Sequence, residues 1–412
     1  MDSVCTDGRG KNATQLRRFN ERLVLRALRR MGEASKADLA RFAGLTSAAV
    51  GGIVASLQDQ NLIHHAGKRQ GQRGQPATML QLNARGVYGI GVRLDRTCIE
   101  TALIDFDGKV HHRVFRETLL PSPELALTLV QNDIDQMLGI LGPRRRQRLS
   151  GIGLAMPFNL DCWLRELDLP EQVFQEWTGV HFGQMLEAAV DFPVFLENDG
   201  TAACIAELLY GVGRQMDDFL YIYLGPAVGG GVVQRGDCIR GTTGNAADVG
   251  LMPVPPSRLP SAPRPRQDWD ILLDRASVNT LIRHLRYCDT PVHGRADIEQ
   301  AVAERTTAFT EWLDDCVRAL TPVAWSGRAL LDVPTVVLDS DLGGDFIALL
   351  QTGLTDSLAA NAPESRTAPD IVVGTMGCSA AAVGAASLPI FYTFTPQAPI
   401  LSTQKEWEGG RP

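Results

Sequence analysis

No uninterrupted apolar run in this 412-residue chain approaches the roughly 18 residues that cross a bilayer, so no membrane span is expected. Met1–Lys11 is polar, with neither an apolar core nor a small-residue cleavage site. No secretory signal is therefore expected, and a cytoplasmic protein is. Eight cysteines are scattered (Cys5, Cys98, Cys162, Cys204, Cys238, Cys288, Cys316 and Cys378), with no C-x-C or C-x-x-C pair among them. The spacing argues against a local zinc knuckle and reads as reduced, buried thiols. What the chain does have is 44% hydrophobic and 21% charged residues, a balance that suits soluble, packed domains. Its length fills two or three of them.

The net charge of −7 conceals a division. Residues 1–82 carry 13 Lys+Arg against 6 Asp+Glu, a balance of +7, which leaves −14 for residues 83–412. A basic head on an acidic body predicts that only the head meets a polyanion, with double-stranded DNA the expected one.

From Asn12 to Met31, Leu16, Phe19, Leu23 and Ala27 recur at helical spacing, and Val24 and Leu28 widen the stripe. Gly32 stops this helix, and Ser35 caps a second, short one over Lys36–Phe42. Ala43-Gly44-Leu45 is a glycine-containing turn, and Thr46 is an N-cap for a third helix from Ser47 to about Gln60. This is the helix-turn-helix pattern. Val50, Ile53, Val54 and Leu57 form the core face of the third helix, leaving Thr46, Ser47, Ala48, Gly51 and Gly52 toward solvent or a groove. Such small and hydroxyl residues approach phosphates and base edges closely, but none is a strong bidentate base reader. The Gly51-Gly52 pair costs roughly 1 kcal/mol per residue in helix propensity, which asks either for tolerance by packing or for a need of close approach. Ala66–Gln75 is glycine-rich and basic and leads into an alternating strand, Ala77–Leu82, which reads as a hairpin wing or, more blandly, a solvated loop. Lys68, Arg69, Arg73 and Gln75 on the wing, with Lys36 on the second helix, complete the candidate DNA-binding set.

After Gly86 the pattern changes to apolar strands alternating with helices. VYGIGVRL, a hairpin through Asp107-Gly108 and VFRETLL precede a helix from Pro123 to about Leu141. Strands follow at Leu149–Ala155, Pro193–Leu196 and Phe219–Leu224, then the run GPAVGGGVV. The mixed order of hairpins and crossovers is α/β but does not suit a simple Rossmann sheet.

Four segments then appear in order: ENDGTAACIAELLYG from Glu197, LGPAVGGGVVQRGDCIRGTTGNAADVGLMPV, VVLDSDLGG and VVGTMGCSAAAVGAASL. Behind a winged head they resemble the ROK family of repressors, open reading frames and sugar kinases, over almost the whole chain. The resemblance implies an α/β fold: an N-terminal winged helix-turn-helix (1–83), then two actin-like (ribonuclease H-like) lobes at 84–195 and 196–397. The final helix would return to the first lobe, with a polar tail at 398–412.

In the family's kinases the aspartate of E-N-D is the general base on a sugar hydroxyl, and the asparagine before it binds the sugar. Asp199 and Asn198 stand in those places, although such a pair also caps helices. The phosphate loop D-x-G-G-T reads Arg93-Leu94-Asp95-Arg96-Thr97, so the magnesium-organising carboxylate and both glycines are gone. The G-E-I-G-H segment reads Ala247-Asp248-Val249-Gly250-Leu251, with a shortened carboxylate and no histidine. In place of the family's C-x-C-G-x-x-G-C run stands PVPPSRLPSAPRPRQDW, read as a proline-rich linker, so the family's zinc is not expected. Gly229-Gly230-Gly231 reads as a tight turn more than a phosphate contact, and Gly374 with Ala380–Ala386 as close helix packing.

The expectation is therefore a regulator, as a rule a repressor, of carbohydrate-related genes. It is gated by a small carbohydrate at Asn198, Asp199 and Asp248, has no catalytic residue, metal or cofactor, and acts as a homodimer or homotetramer on an operator. Two alternatives stay open: an active sugar kinase that also binds DNA, and a ligand-free dimerisation scaffold carrying a DNA-binding head.

Overall fold

The computed structural model describes residues 7–69, 77–162, 164, 169–170, 174–265 and 267–397. Helix α1 (Asp7–Met31) starts earlier than its apolar periodicity predicts and ends at Gly32, whose φ of 74° an L side chain resists. Ser35 opens α2 (Lys36–Ala43) with a reciprocal cap: its hydroxyl accepts from the Asp38 amide, and the Asp38 carboxylate accepts from the Ser35 amide. Gly44, left-handed at φ 64°, closes α2, and the Thr46 hydroxyl accepts from the Ala49 amide to begin α3 (Ser47–Asp59). Helices α2 and α3 turn through 112°, within the range of a helix-turn-helix. Strands β1 (Glu33–Ser35), β2 (Ile63–Arg69) and β3 (Ala77–Leu82) form an antiparallel sheet in the order β1-β3-β2. Val24, Leu28, Leu39, Val50, Val54 and Leu80 are fully enclosed, and their cluster continues into Ile104, Phe106, Ala386 and Ile390 of the body.

The body holds two five-stranded sheets of one topology. In the first, β4 (Tyr88–Asp95), β5 (Cys98–Asp105), β6 (Val110–Glu117), β7 (Leu149–Ala155) and β8 (Val194–Glu197) lie in the order β6-β5-β4-β7-β8. Next along the chain come β9 (Phe219–Leu224), β10 (Val228–Gln234), β11 (Asp237–Ile239), the small pair β12 (Pro253–Val254) and β13 (Asp270–Ile271), then β14 (Thr335–Ser340) and β15 (Asp370–Val373). The second sheet runs β11-β10-β9-β14-β15. In each, the first three strands pair antiparallel and the last two join in parallel. A duplicated mixed sheet of this kind is the actin-like arrangement. The run Gly229–Gly231, expected as a turn, lies inside strand β10, and the chain reverses before it at Gly225–Ala227.

Helices α4 (Pro123–Arg146) and α5 (Phe182–Ala189) cover the first sheet, with α4 breaking at Gly142 before Pro143. Helix α6 (Asp199–Tyr210) follows, then α7 (Val278–Tyr287), α8 (Arg295–Ala303), α9 (Thr307–Leu331), α10 (Gly344–Ala360) and α11 (Ala380–Phe394). Helix α11 packs on α6 and on β4 and β7 of the first sheet. The approach is backbone to backbone: a Cβ on Gly91 would lie 2.0 Å from the Ala386 amide, one on Gly153 1.8 Å from the Ala385 carbonyl, and one on Gly384 2.1 Å from the Ala202 carbonyl. Among the described residues one stretch, Gly377–Phe394, has the length and composition to cross a membrane, and most of it is buried in this core. The expectation of buried thiols is corrected at Cys162, Cys288 and Cys378, which are exposed.

The proline-rich segment is not a loose linker. Buried Arg275 pairs with Asp315 at 2.8 Å and donates to the Pro255 carbonyl. Ser257 donates to the same carboxylate at 2.7 Å, and Arg318 holds the Pro256 carbonyl at 2.7 Å. A buried guanidinium with its donors satisfied fixes the segment against α9.

Candidate nucleic-acid interface and ligand cleft

Helix α3 divides into two faces. Val50, Ile53, Val54 and Leu57 are buried, whereas Thr46, Ser47, Ala48 and Gly52 are exposed and Gly51 is half-buried; Lys36, opening α2, is exposed as well. A Cβ built on Gly51 or Gly52 meets nothing within 4 Å, and neither residue has a positive φ. Among the described residues, neither packing against other elements nor backbone geometry requires the glycine pair. On the wing, β2 carries a bulge between His65 and Gly67, and Lys68 is exposed. The backbone of Arg69 ends β2. Arg73 and Gln75 lie outside the described residues.

The basic charge of the head is not all available to DNA. Arg26 and Arg30 of α1 pair with Asp217 at 2.5 and 2.8 Å, and the two guanidinium groups hold the Asp217 carboxyl below its usual range against the opposing effect of burial. Arg22 donates to the Thr395 carbonyl. Arg29 donates to the Phe106 carbonyl and lies over the rings of Phe106 and Tyr210, 5.0 and 5.2 Å from their centroids. Arg214 in turn donates to the Arg29 carbonyl at 2.9 Å. Arg26 and Arg30, with the Arg214 contact, clamp the head onto the turn that follows α6, while Arg22 and Arg29 tie it to Thr395 and Phe106.

The opposite end of α6 opens the cleft. Asn198 caps the helix, its side-chain oxygen accepting from the Gly200 amide at 2.9 Å, and the Asp199 carboxylate accepts from the same amide at 3.0 Å. Both residues are half-buried. Burial, with Asp95 adding to it, pushes the Asp199 carboxyl up, while Arg93, Arg96 and the Gly200 amide pull it down. Glu197, immediately before them, is buried and held by Arg240 and Tyr392. Asp248 is exposed and pairs with Asn245 at 3.1 Å. Its turn is seated on β10: a Cβ on Gly230 would be 2.9 Å from the Ala247 carbonyl, and one on Gly200 would be 2.7 Å from the Gly230 amide. The glycines of β10 thus let the start of α6 and the Ala247–Gly250 turn approach one strand. No hydrogen bond joins Asp248 to Asn198 or Asp199 among the described residues.

The end of β4 and the turn after it carry Arg93 and Arg96 where the resemblance places a carboxylate and a glycine. Buried Arg93 pairs with Asp95 at 3.0 Å, and its Nε has no partner among the described residues. Burial opposes its charge, but Asp95, Cys98, Tyr223 and Asp341 hold its pKa well above the usual value. Arg96, also buried, turns away and donates to the carbonyls of Asn159, Leu160 and Cys162 at 2.6, 3.1 and 3.0 Å. Three carbonyls thus tie the turn to the loop after β7. The loop at 374–377 meets carboxylates of α6 and β14: the Gly377 amide donates to Asp339 at 3.1 Å, and the Thr375 amide to Glu207 at 2.5 Å. Burial pushes Glu207 up to about 7, and Asp339 contributes in the same direction. Met252–Asp270 contains neither cysteine nor histidine, so the zinc implied by the resemblance finds no thiolate or imidazole donor there.

A family model described as the ROK family matches residues 89–390. The chain belongs to the ROK family. Among curated ROK relatives, it is 31% identical to the protein y4fQ of Sinorhizobium fredii over 91% of this chain and 92% of that protein. It is 24% identical to the xylose repressor of Bacillus subtilis over 58% of this chain and 62% of that repressor. A glucokinase of Thermotoga maritima is 29% identical over 41% of this chain and 51% of the enzyme. Among solved structures, a ROK family transcriptional regulator described as a homologue of the Escherichia coli Mlc protein has a TM-score of 0.66 at 19% identity, covering 94% of this chain and 99% of that one. The fold of this ROK protein is thus that of a helical head on a two-lobed α/β body.

Several residues of this ROK chain escaped reading from sequence. Asp217 gave no signal, because its partners lie 187 and 191 positions away. Glu207 had one: it is a single carboxylate in the otherwise apolar second half of ENDGTAACIAELLYG, and such a residue is rarely buried without a partner.

Proposed function

We propose that this protein is a DNA-binding transcriptional regulator, a repressor of carbohydrate-related genes, whose body senses a small carbohydrate without phosphorylating it. One observation carries the reading: α3 presents an open, small-residue face, Thr46 to Gly52, whose two glycines nothing among the described residues requires. Thr46, Ser47, Ala48, Gly51 and Gly52, with Lys36, Lys68, Arg69, Arg73 and Gln75, are the proposed DNA contacts. Helix starts and wing arginines of this kind meet phosphates, and a helix bare of large side chains lies close to a groove floor.

In the body, Asn198, Asp199 and Asp248 are proposed to bind sugar hydroxyls. The Arg93–Asp95 pair and the tethered Arg96 stand where the resemblance places the glycine backbone and magnesium-binding carboxylate that a nucleotide phosphate would need, and Glu207 and Asp339 hold the loop at 374–377 with further carboxylates. The relatedness to a xylose repressor supports a carbohydrate as effector. Asn198 and Asp199 start α6, and Tyr210 with the following turn grips α1. A rod of about 18 Å therefore joins the proposed ligand site to the head, and a sugar that favours one placement of α6 shifts the heads of a dimer relative to its half-sites. We place the protein in the cytoplasm, with a head at 1–83, lobes at 84–195 and 196–397, and a tail at 398–412.

The test is thermal stability of the full chain against sugars and sugar phosphates, with and without magnesium-ATP, since a ligand of the folded state raises the melting temperature. A shift with a sugar alone is expected. Phosphorylation of that sugar in the presence of ATP would restore the kinase reading, and no shift with any sugar would leave a scaffold.

A further inference from the structure

A second group of ligating side chains lies away from the cleft. His284 on α7, Cys288 one helical turn later at its C-terminus, and Glu311 on α9 bring an imidazole nitrogen, a thiol sulfur and a carboxylate oxygen within 4.8 Å of one another. His284 Nε2 lies 3.1 Å from Glu311 Oε2 and 3.8 Å from Cys288 Sγ. A tetrahedral zinc-class ion, with bonds of about 2.0–2.3 Å, separates such donors by about 3.4–3.6 Å, so both distances lie within a few tenths of an ångström of what the ion needs.

The surroundings fit as well. His284 is fully buried, and its Nδ1 lies 2.8 Å from the Ser261 hydroxyl. With Nδ1–H donating to Ser261, the Nε2 lone pair points toward Cys288 and Glu311, the tautomer a metal takes. Cys288 and Glu311 are exposed, which gives an ion a way in and leaves a position for water. Among the described residues this is the one place where a cysteine, a histidine and a carboxylate converge.

We propose that His284, Cys288 and Glu311 form a binding site for a thiophilic divalent cation of the zinc class, with three protein ligands and one solvent position. The ion ties α7 to α9 and, through Ser261, to the proline-rich segment. These ligands lie on helices beyond the stretch where the family's cysteine run is missing.

Cobalt titrated into the metal-free full chain tests this. Expected are one tight ion per chain, a thiolate-to-cobalt charge-transfer band, and its loss on adding zinc. Cys288→Ser abolishes the band, whereas Cys162→Ser and Cys378→Ser, at the other exposed thiols among the described residues, leave it unchanged. Ser261→Ala, which removes the partner of Nδ1, weakens binding by roughly 10–100-fold. The exposed position of Cys288 preserves the fold, checked as an unchanged melting temperature in chelator. No thiolate band at equimolar cobalt, or a band that survives Cys288→Ser, overturns the proposal.

Discussion

Replacing Gly51 and Gly52 by alanine separates the two tasks of α3. Alanine in a helix interior is favoured over glycine by roughly 0.5–1 kcal/mol, and outside the helix's own backbone no described atom lies within 4 Å of either new Cβ to oppose the gain. The double variant should therefore stabilise the head by about 1–2 kcal/mol. The same two methyl groups project from the face that begins at Thr46. If the backbone there lies against DNA, they hold the helix off the groove, and a loss of about 1.4 kcal/mol raises Kd about tenfold. Fluorescence anisotropy, with DNA selected from a random pool by the full chain, reads the affinity. Hydrogen exchange at the amides of Val50, Val54 and Leu57 reads local stability without assuming that a multidomain chain unfolds in one step. Slower exchange together with weaker binding is the expected pair. Slower exchange with unchanged affinity refutes the role of the glycines, and faster exchange refutes the open surface from which the gain was worked out.

Asp217→Ala removes the partner of Arg26 and Arg30; the half-exposed pairs contribute only about 1 kcal/mol or less to stability, yet the sugar response of DNA binding should disappear while binding itself persists, as measured by anisotropy with and without sugar. Asp199→Ala should also abolish the response at unchanged DNA affinity, and a variant still responsive to sugar would place the ligand elsewhere. Arg73→Ala should flatten the dependence of log affinity on log salt by about 0.9, the signature of one lost phosphate contact; an unchanged slope removes the wing from the interface. Glu207 sits at about 7 instead of its ordinary 4.5, so the folded chain holds this proton more tightly than the unfolded one. Its contribution to stability is complete below about pH 4.5 and is lost as pH rises through 7. Glu207→Gln should remove that slope, with a difference on the order of 3 kcal/mol at pH 8, and parallel melting curves against pH for variant and wild type would contradict it.

Much of the head was legible because its signals are local. Ser35, Gly44 and Thr46 each act on a neighbour within four residues, and the structure places the caps and the turn where those residue types predict them. Strand β2 was missed because its alternation is broken by the bulge before Gly67, at φ 127°. Gly229–Gly231 was read as a turn because the reason for the glycines is a distant one: the start of α6 and the Ala247–Gly250 turn press on β10 from elsewhere in the chain. The proline-rich segment looked like a linker for the same kind of reason, since Arg275 and Asp315, 40 residues apart, fix it. The charge division of the head was real but overread: Arg22, Arg26, Arg29 and Arg30 face the body. At the cleft, sequence offered Asn198 as either a cap or a sugar ligand. Its side-chain oxygen does cap α6.

The most direct test of the account is the affinity of the full chain for its selected DNA, measured by anisotropy at fixed salt while the sugar identified by thermal shift is titrated in without ATP. The account predicts a several-fold change in Kd that saturates with sugar binding and is the same when magnesium-ATP is present. An affinity that is indifferent to the sugar, or a change that requires ATP and yields sugar phosphate, would contradict it.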